Sequence, residues 1–212
     1  MKRVVISIAL MAIALSLSCA KRASAPTGDE LLWASEKPRP NWAYEAPYVE
    51  GGLQYFVGLS YKYADEKPSR DDAERDARLR AVKYFETAAR EFFERITAEL
   101  GLMSEVFNPS NAARGYTEWA SQGVIQKSKV VKFYVEQWKS RKTGEIYYRT
   151  FAKLLVPDEQ VAESFNDYTN RKKEEWKMAQ EQIDKVNDAF RSYWESKKKE
   201  QELKQGEKEK ER

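Results

Sequence analysis

Two hydrophobic patterns follow one another in the first half of the chain, the first typical of a strand and the second of a helix. Residues 53–60 are rich in aromatic and branched side chains and predict a strand. Gly58 within that strand indicates a bulge or a close approach of another backbone. Beyond Ser69, the expected N-cap, small and apolar residues recur every three or four positions and predict one helix that ends at Gly101. The stripe consists of Ala73, Ala77, Ala81, Phe85, Ala88, Phe92, Ile96 and Leu100.

A period of two returns in residues 123–138 and 145–156, where apolar and polar side chains alternate. Gly144 lies in the short loop between these segments, as a tight hairpin requires. The preceding residues 102–122 are ambiguous, and their second half could be a short helix. The pattern predicts an α+β domain over residues 42–157 with the order β-α-β-β, in which one long helix crosses a three-stranded antiparallel sheet.

Helical periodicity resumes after Pro157 and continues over residues 158–194. Its apolar stripe advances in steps of three and four, interrupted by Lys172, and this spacing is typical of a coiled coil. Residues 195–212 are almost purely Lys, Glu and Gln and predict a fraying helix or a disordered tail. The stripe consists of Val161, Phe165, Tyr168, Trp176, Ala179, Ile183, Val186, Phe190 and Tyr193.

Two arrangements of this amphipathic helix remain open. It could fold back over the sheet, or its distal half could project and pair with another helix. About 37 residues make ~55 Å of helix, whereas a short-stranded sheet spans ~30 Å, so the length favours projection. The residues expected to face a partner are Trp176, Ile183, Val186, Phe190 and Tyr193.

The N-terminus has the plan of a secretory signal peptide. Lys2 and Arg3 precede an apolar run over residues 4–17, which is too short to span a ~30 Å hydrocarbon core comfortably. Cys19 follows almost at once, and a cysteine in this position resembles a bacterial lipobox. We therefore expect residues 1–18 to be removed and Cys19 to be lipidated. An ordinary signal peptide with an incidental cysteine is the alternative.

Residues 19–41 predict a flexible tether, because small, charged and proline residues dominate them. Pro26, Pro38 and Pro40 discourage regular structure. Ala20, directly after the cysteine, fits sorting to the outer membrane. The expected location is therefore the bacterial cell envelope, with the domain held off the membrane by the tether.

The charge balance bears on the class of partner. The chain carries 37 Lys and Arg against 34 Asp and Glu, a net charge of +3. Removing Lys2 and Arg3 with the signal peptide lowers this to +1 (3 − 2), so the remaining chain is nearly balanced. We expect no nucleic-acid partner for such an exported chain.

The side chains needed for common enzyme chemistry are scarce. The chain has no histidine, and its single cysteine is assigned to the lipid. It contains no glycine-rich phosphate loop, GxSxG elbow or EF-hand loop. We therefore expect no catalytic residue, no bound metal and no cofactor. The densest acidic cluster, interleaved with arginines, fits the first turns of a helix better than a carboxylate enzyme. It consists of Asp71, Asp72, Glu74 and Asp76.

One face of the predicted hairpin mixes aromatic and charged residues. Such a mixture suits a protein interface or a contact with a sugar polymer. A solvent-facing sheet with ordinary cross-strand pairs is the plainer interpretation. The aromatic residues are Tyr134, Trp138, Tyr147 and Phe151, and they lie among Lys132, Glu136, Arg149 and Lys153.

Two short motifs carry a family resemblance. Residues 37–42, Lys-Pro-Arg-Pro-Asn-Trp, and residues 55–60, Tyr-Phe-Val-Gly-Leu-Ser, together with the alanine-stepped helix and the hairpin, resemble the LPP20 family of bacterial lipoproteins. The resemblance covers about residues 37–157 and implies an outer-membrane lipoprotein with a dodecin-like β-α-β-β domain. It implies roles as a surface antigen or in flagellar or envelope assembly, and no catalytic residues. The long charged C-terminal helix departs from the family.

Together these patterns predict a lipid-anchored, non-enzymatic envelope protein with a structural or assembly role. It would act by self-association or by binding another envelope protein. The alternative is a module that recognises peptidoglycan or another saccharide through aromatic residues exposed on the sheet.

Overall fold

A computed structural model of the chain describes residues 28–44, 47–51, 53–101, 107–125 and 127–210. The expected signal peptide, Cys19 and the first part of the expected tether lie outside the described residues. The described chain has an α+β fold, as predicted, with one antiparallel sheet and a layer of helices packed against one of its faces. Within those residues, no helix has both the length and the apolar character needed to cross a membrane.

The strands are β1 (Glu30–Ala34), β2 (Tyr48–Glu50), β3 (Leu53–Leu59), β4 (Lys129–Lys139) and β5 (Ile146–Val156). The helices are α1 (Glu66–Leu100), α2 (Pro109–Ala120), α3 (Asp158–Trp176) and α4 (Gln180–Lys210). A short 3-10 turn spans Asn41–Tyr44, and a π-helical turn spans Ser121–Ile125.

The sheet has five strands in the order β1-β4-β5-β3-β2, and all neighbours are antiparallel. The expectation of three strands was therefore wrong. The predicted strand and hairpin form the centre, and a short strand is added at each edge. Edge strand β1 belongs to the stretch expected to be a tether, whose prolines obscured the apolar residues Leu31, Leu32 and Trp33. The chain thus joins the domain well before residue 42, and the five-stranded sheet departs from the dodecin-like description.

Helix α1 crosses the sheet at very close range. Ala73, Ala77 and Ala81 are fully buried, as their spacing predicts. A Cβ atom built on Gly58 would overlap the carbonyl oxygen of Ala73 and the amide nitrogen of Ala77, and would lie 2.8 Å from the Cα of Ala77. The expected close backbone approach at Gly58 is confirmed, because only a residue without a side chain fits between this strand and the helix.

The start of α1 differs from the prediction. The N-cap is Asp65, and Ser69 lies buried inside the helix. Its hydroxyl is 2.9 Å from that of Ser60, directly after β3, and 2.7 Å from that of Thr150 in β5, so it joins the helix to the sheet. Ser69 was misassigned because a polar residue near a helix start matches both an N-cap and a buried hydrogen-bond partner.

The ambiguous segment before the hairpin contains a helix. Asn108 caps α2 by accepting a hydrogen bond from the Asn111 amide at 3.1 Å, and Pro109 occupies the first turn. The π-helical turn then occupies residues that were expected to begin the next strand, so β4 starts at Lys129 instead of residue 123. The hairpin loop itself is confirmed, with Gly144 at a φ of 77°.

The C-terminal region forms two helices instead of one. Lys177, at a φ of 53°, ends α3 in the left-handed conformation, and the chain reverses into α4. Thr169 and Asn187, on opposite helices, are hydrogen bonded at 2.7 Å. Helix α4 continues to Lys210, through residues expected to fray. The projecting coiled-coil arrangement is therefore wrong, because the reversal lets both helices fold back on their own domain.

The apolar stripe of the C-terminal region is buried in the core by this packing. Phe190 stacks on Phe165 at 3.7 Å between ring centroids, and Phe92 of α1 contacts both rings edge-on. This cluster is continuous with Phe56 and Leu154 on the helix-facing side of the sheet. All five residues expected to face a partner are buried in it: Trp176, Ile183, Val186, Phe190 and Tyr193.

Candidate functional site

The aromatic residues expected on the outer face of the hairpin do come together. Tyr134 lies opposite Phe151, and Trp138 lies opposite Tyr147, in the register of β4 and β5. All four are buried, however, so the expectation of an exposed aromatic surface was wrong. Their alternation identified the correct face of the sheet, but it carried no information about what covers that face.

The cover is supplied by the chain around Arg39, within the segment that carries the family resemblance. The Nε and Nη2 atoms of Arg39 lie 2.8 and 2.6 Å from Oε1 of Glu136, whose side chain is only 2% exposed. The guanidinium also lies over the ring of Phe151, 4.9 Å from its centroid. This segment is thereby fixed to the outer face by a charge pair and an aromatic contact.

The buried carboxylate of Glu136 has further donors. The hydroxyl of Tyr134 donates to Oε1 at 3.0 Å, and the indole Nε1 of Trp138 donates to Oε2 at 3.0 Å. Burial, followed by the neighbouring carboxylate charge, raises the pKa of Tyr134 well above its usual range. Two of the predicted interface residues therefore act as hydrogen-bond donors to an internal anion.

A second clamp holds the start of the described chain to the hairpin. The Tyr147 hydroxyl donates to Asp29 at 2.6 Å, and the Lys62 ammonium donates to the same carboxylate at 3.0 Å. Lys62 also lies 4.2 Å from the centroid of the Tyr147 ring. The hydrogen bond from Tyr147 and then that from Lys62 lower the pKa of Asp29.

The acidic cluster at the start of α1 has a structural role. Asp72 accepts a hydrogen bond from the Tyr61 amide, and Asp76 accepts one from the Leu59 amide, both at 2.8 Å. These carboxylates satisfy backbone donors where β3 ends. Over the described ranges, no group of three or more His, Cys, Asp or Glu side chains is arranged to hold a metal ion.

An exposed apolar surface that the pattern did not reveal lies on β1. Leu31, Leu32 and Trp33 are 38%, 39% and 46% exposed, respectively. In the described part of the chain, β1 pairs with β4 on one side and with no strand on the other. The run Leu-Leu-Trp within the expected tether was the available sequence signal. We define these three residues as the β1 edge.

No family model, curated protein or solved structure matches the chain. The resemblance to the LPP20 lipoproteins therefore stays a prediction from the two motifs.

Proposed function

We propose that this chain is a lipid-anchored, non-enzymatic protein of the bacterial envelope that assembles with a second copy of itself through the β1 edge. The observation that carries the assembly role is the exposure of Leu31, Leu32 and Trp33 on a strand at the border of the sheet. Anchoring is supported by the apolar run that ends at Cys19.

Edge strands offer backbone N–H and C=O groups to another strand, and many proteins block them with charged residues or proline. The central positions of β1 carry two leucines and a tryptophan instead. A β-bulge near Leu32 shortens the regular part of the edge. We therefore expect a dimer of modest affinity in place of a long continuous sheet.

A second copy fits this edge because the strand is complementary to itself. Antiparallel pairing centred on Leu32 would place Leu31 opposite Trp33 and Glu30 opposite Ala34. No like charges face each other in this register, and a two-fold axis closes the assembly at two copies. The two central sheets would then join through their β1 strands.

The other surfaces considered for assembly are less suitable. The stripe on α3 and α4 and the aromatic residues of β4 and β5 are covered by their own chain. The saccharide alternative based on sheet aromatics loses its support for the same reason. The β1 edge, in contrast, is available for contact without unfolding, because its three apolar side chains are exposed next to one another on an edge strand.

Sedimentation equilibrium of the unlipidated chain beginning at residue 20 tests the assembly role. The unmodified sequence should form a dimer, and Leu32→Lys should yield a folded monomer, because strand pairing would bury the added charge. Leu203→Lys, at an exposed position on α4, serves as the matched control and should remain dimeric. A monomeric parent protein would refute assembly through β1, and monomers that bind lipid vesicles only when Leu32 is present would assign the edge to the membrane.

The anchor is tested separately in cells. Replacing Cys19 with Ala should release the protein from membranes and abolish labelling by a fatty-acid analogue. A Cys19→Ala protein that stays membrane-bound at high salt, together with an unacylated parent protein, would contradict the anchoring proposal.

A further inference from the structure

A groove between α2 and α3 has the features of a binding site. It begins at the π-helical turn and encloses about 290 Å³. A space of this size has room for several water molecules or for a small ligand. Its lining includes Trp119, Gln122, Gln160, Glu163, Ser164 and Asp167.

Two buried polar atoms in this groove have no hydrogen-bond partner among the described residues. They are Oγ of Ser164, whose residue is only 8% exposed, and Oε1 of Gln160. Serines in helices commonly donate to the carbonyl one turn earlier, as Ser192 does to Asp188 at 3.1 Å. Two neighbouring buried polar atoms without hydrogen-bond partners lower the stability of the fold. A ligand that forms hydrogen bonds with both atoms would recover this free energy on binding.

The local backbone keeps this space open. A π-helical turn inserts an extra residue into a helix, and such turns often occur at functional sites. Gly123 lies in that turn, and a Cβ atom there would meet only Oγ of Ser164, at 3.9 Å. The absence of a side chain at Gly123 therefore leaves room directly in front of the unpaired hydroxyl.

The groove continues past Trp119 into a second compartment of about 410 Å³. Trp119 and Gln122 line both compartments, and Arg171 lies 4.6 Å from the centroid of the Trp119 ring, which orients the indole. Two adjacent compartments separated by an aromatic side chain can accommodate an elongated ligand with repeating units.

The chemistry of the lining indicates the ligand class. Glu163, Asp167 and the Gln160 carbonyl accept hydrogen bonds, whereas the Ser164 hydroxyl can donate or accept. The carboxylates disfavour an anionic ligand, and the nearby Lys127 balances part of their charge. A ligand with many hydroxyl groups and an apolar ring face meets all these groups, because each hydroxyl both donates and accepts while the ring contacts the indole.

We propose that this groove binds a neutral oligosaccharide, with Gln160 and Ser164 pairing with sugar hydroxyls and Trp119 contacting the rings. This site does not depend on the β1 edge, so the two proposals can fail separately. Binding should strengthen with chain length, because a trimer reaches both compartments and a monosaccharide reaches one.

Isothermal titration calorimetry of the unlipidated chain beginning at residue 20 tests this with two pairs of ligands: N-acetylglucosamine with its β-1,4-linked trimer, and glucose with maltotriose. At least one trimer should bind saturably, roughly tenfold more tightly than its monosaccharide. Gln160→Met and Ser164→Ala should each weaken binding by roughly threefold to tenfold through a lost hydrogen bond. Gly123→Leu should abolish binding by filling the space beside Ser164.

The matched control is Ser192→Ala on α4, which should bind like the parent protein. Thermal unfolding separates a ligand-binding role from a structural one. Ser164→Ala should not lower Tm, because no internal hydrogen bond is lost. If the Ser164 hydroxyl were instead hydrogen bonded within the fold, the same replacement would lower Tm. Two results would overturn the proposal: no saturable binding of either trimer at millimolar concentration, or unchanged affinity in both Gln160→Met and Ser164→Ala.

Discussion

Arg39 forms a charge pair with the buried carboxylate of Glu136 across 97 residues of sequence, with Nε of the arginine 2.8 Å from Oε1 of the carboxylate. The pair joins the segment before the domain's first central strand to the middle of β4. The same carboxylate accepts hydrogen bonds from Tyr134 and Trp138, so removing it leaves several donors without an acceptor.

Glu136→Ala should therefore lower the free energy of unfolding by about 3–5 kcal/mol, the usual cost of removing one partner of a buried ion pair. Urea unfolding provides the measurement. Glu36→Ala is the control, because Glu36 pairs with Lys132 at 2.6 Å on the surface and its loss should cost only about 0–1 kcal/mol. Equal effects of the two changes would show that the Arg39 segment is not held by this carboxylate.

Gly58→Ala should destabilise the protein although it adds a single methyl group. The new Cβ atom would overlap backbone atoms of Ala73 and Ala77, so α1 would have to move away from the sheet. Overpacking of this kind costs about 1–3 kcal/mol or more. Gly206→Ala should instead leave stability unchanged or raise it by up to about 1 kcal/mol, because that position is helical and has open space. If thermal unfolding shows the same shift for both, the close approach at Gly58 is wrong.

Phe190→Ala tests whether α4 is an integral part of the core. Phe190 is buried between Phe165 and Phe92, and deleting such a ring should cost about 3–5 kcal/mol. Leu203→Ala removes an apolar side chain that is 70% exposed on the same helix and should change stability by less than about 0.5 kcal/mol. A small effect of Phe190→Ala in chemical denaturation would mean that α4 separates from the domain.

Asp29 should make the attachment of β1 sensitive to acid. The hydrogen bonds from Tyr147 and then Lys62 favour the ionised carboxylate, which lowers its pKa in the folded state. The stabilisation is therefore complete above the ordinary aspartate pKa of about 4 and is lost as the pH falls through the lowered folded-state pKa. The stability difference between the parent protein and Asp29→Asn should be constant above about pH 5 and shrink in more acidic solution. A difference that does not change with pH would exclude this carboxylate as the acid-sensitive group.

Much of the central architecture could be predicted from local pattern. The alternation in β4 and β5 assigned most side chains to the correct face of the sheet, because successive residues of a strand point to opposite sides. Val131 is an exception: the irregularity between Val130 and Lys132 places Val130 against the core beneath the helices and leaves Val131 50% exposed. The small residues Ala73, Ala77 and Ala81 identified the helix face that meets the sheet, and Gly58 identified the point of closest approach. These features depend on residues near one another in sequence, so a single segment carries the signal.

Burial of the candidate site residues could not be predicted in this way. Tyr134 and Trp138 look like an exposed aromatic surface until Arg39, about a hundred residues away, brings its segment over them. Lys177 ends α3 without the glycine that usually marks a left-handed turn, so one helix could not be distinguished from two. The groove beside Ser164 arises only where α2, the π-helical turn and α3 meet.

The sequence by itself therefore determined the hydrophobic periodicity of each helix and strand and which of its faces is apolar. It also determined where a glycine allows two backbones to approach closely, as at Gly58. Tertiary structure decided which face is covered, where the long helix reverses and which apolar residues stay exposed, notably those of the β1 edge. The physical reason is that periodicity depends on neighbours along the chain, whereas burial depends on every segment that packs against a surface. A hydrophobic face must be covered, but its own residues do not specify which segment covers it.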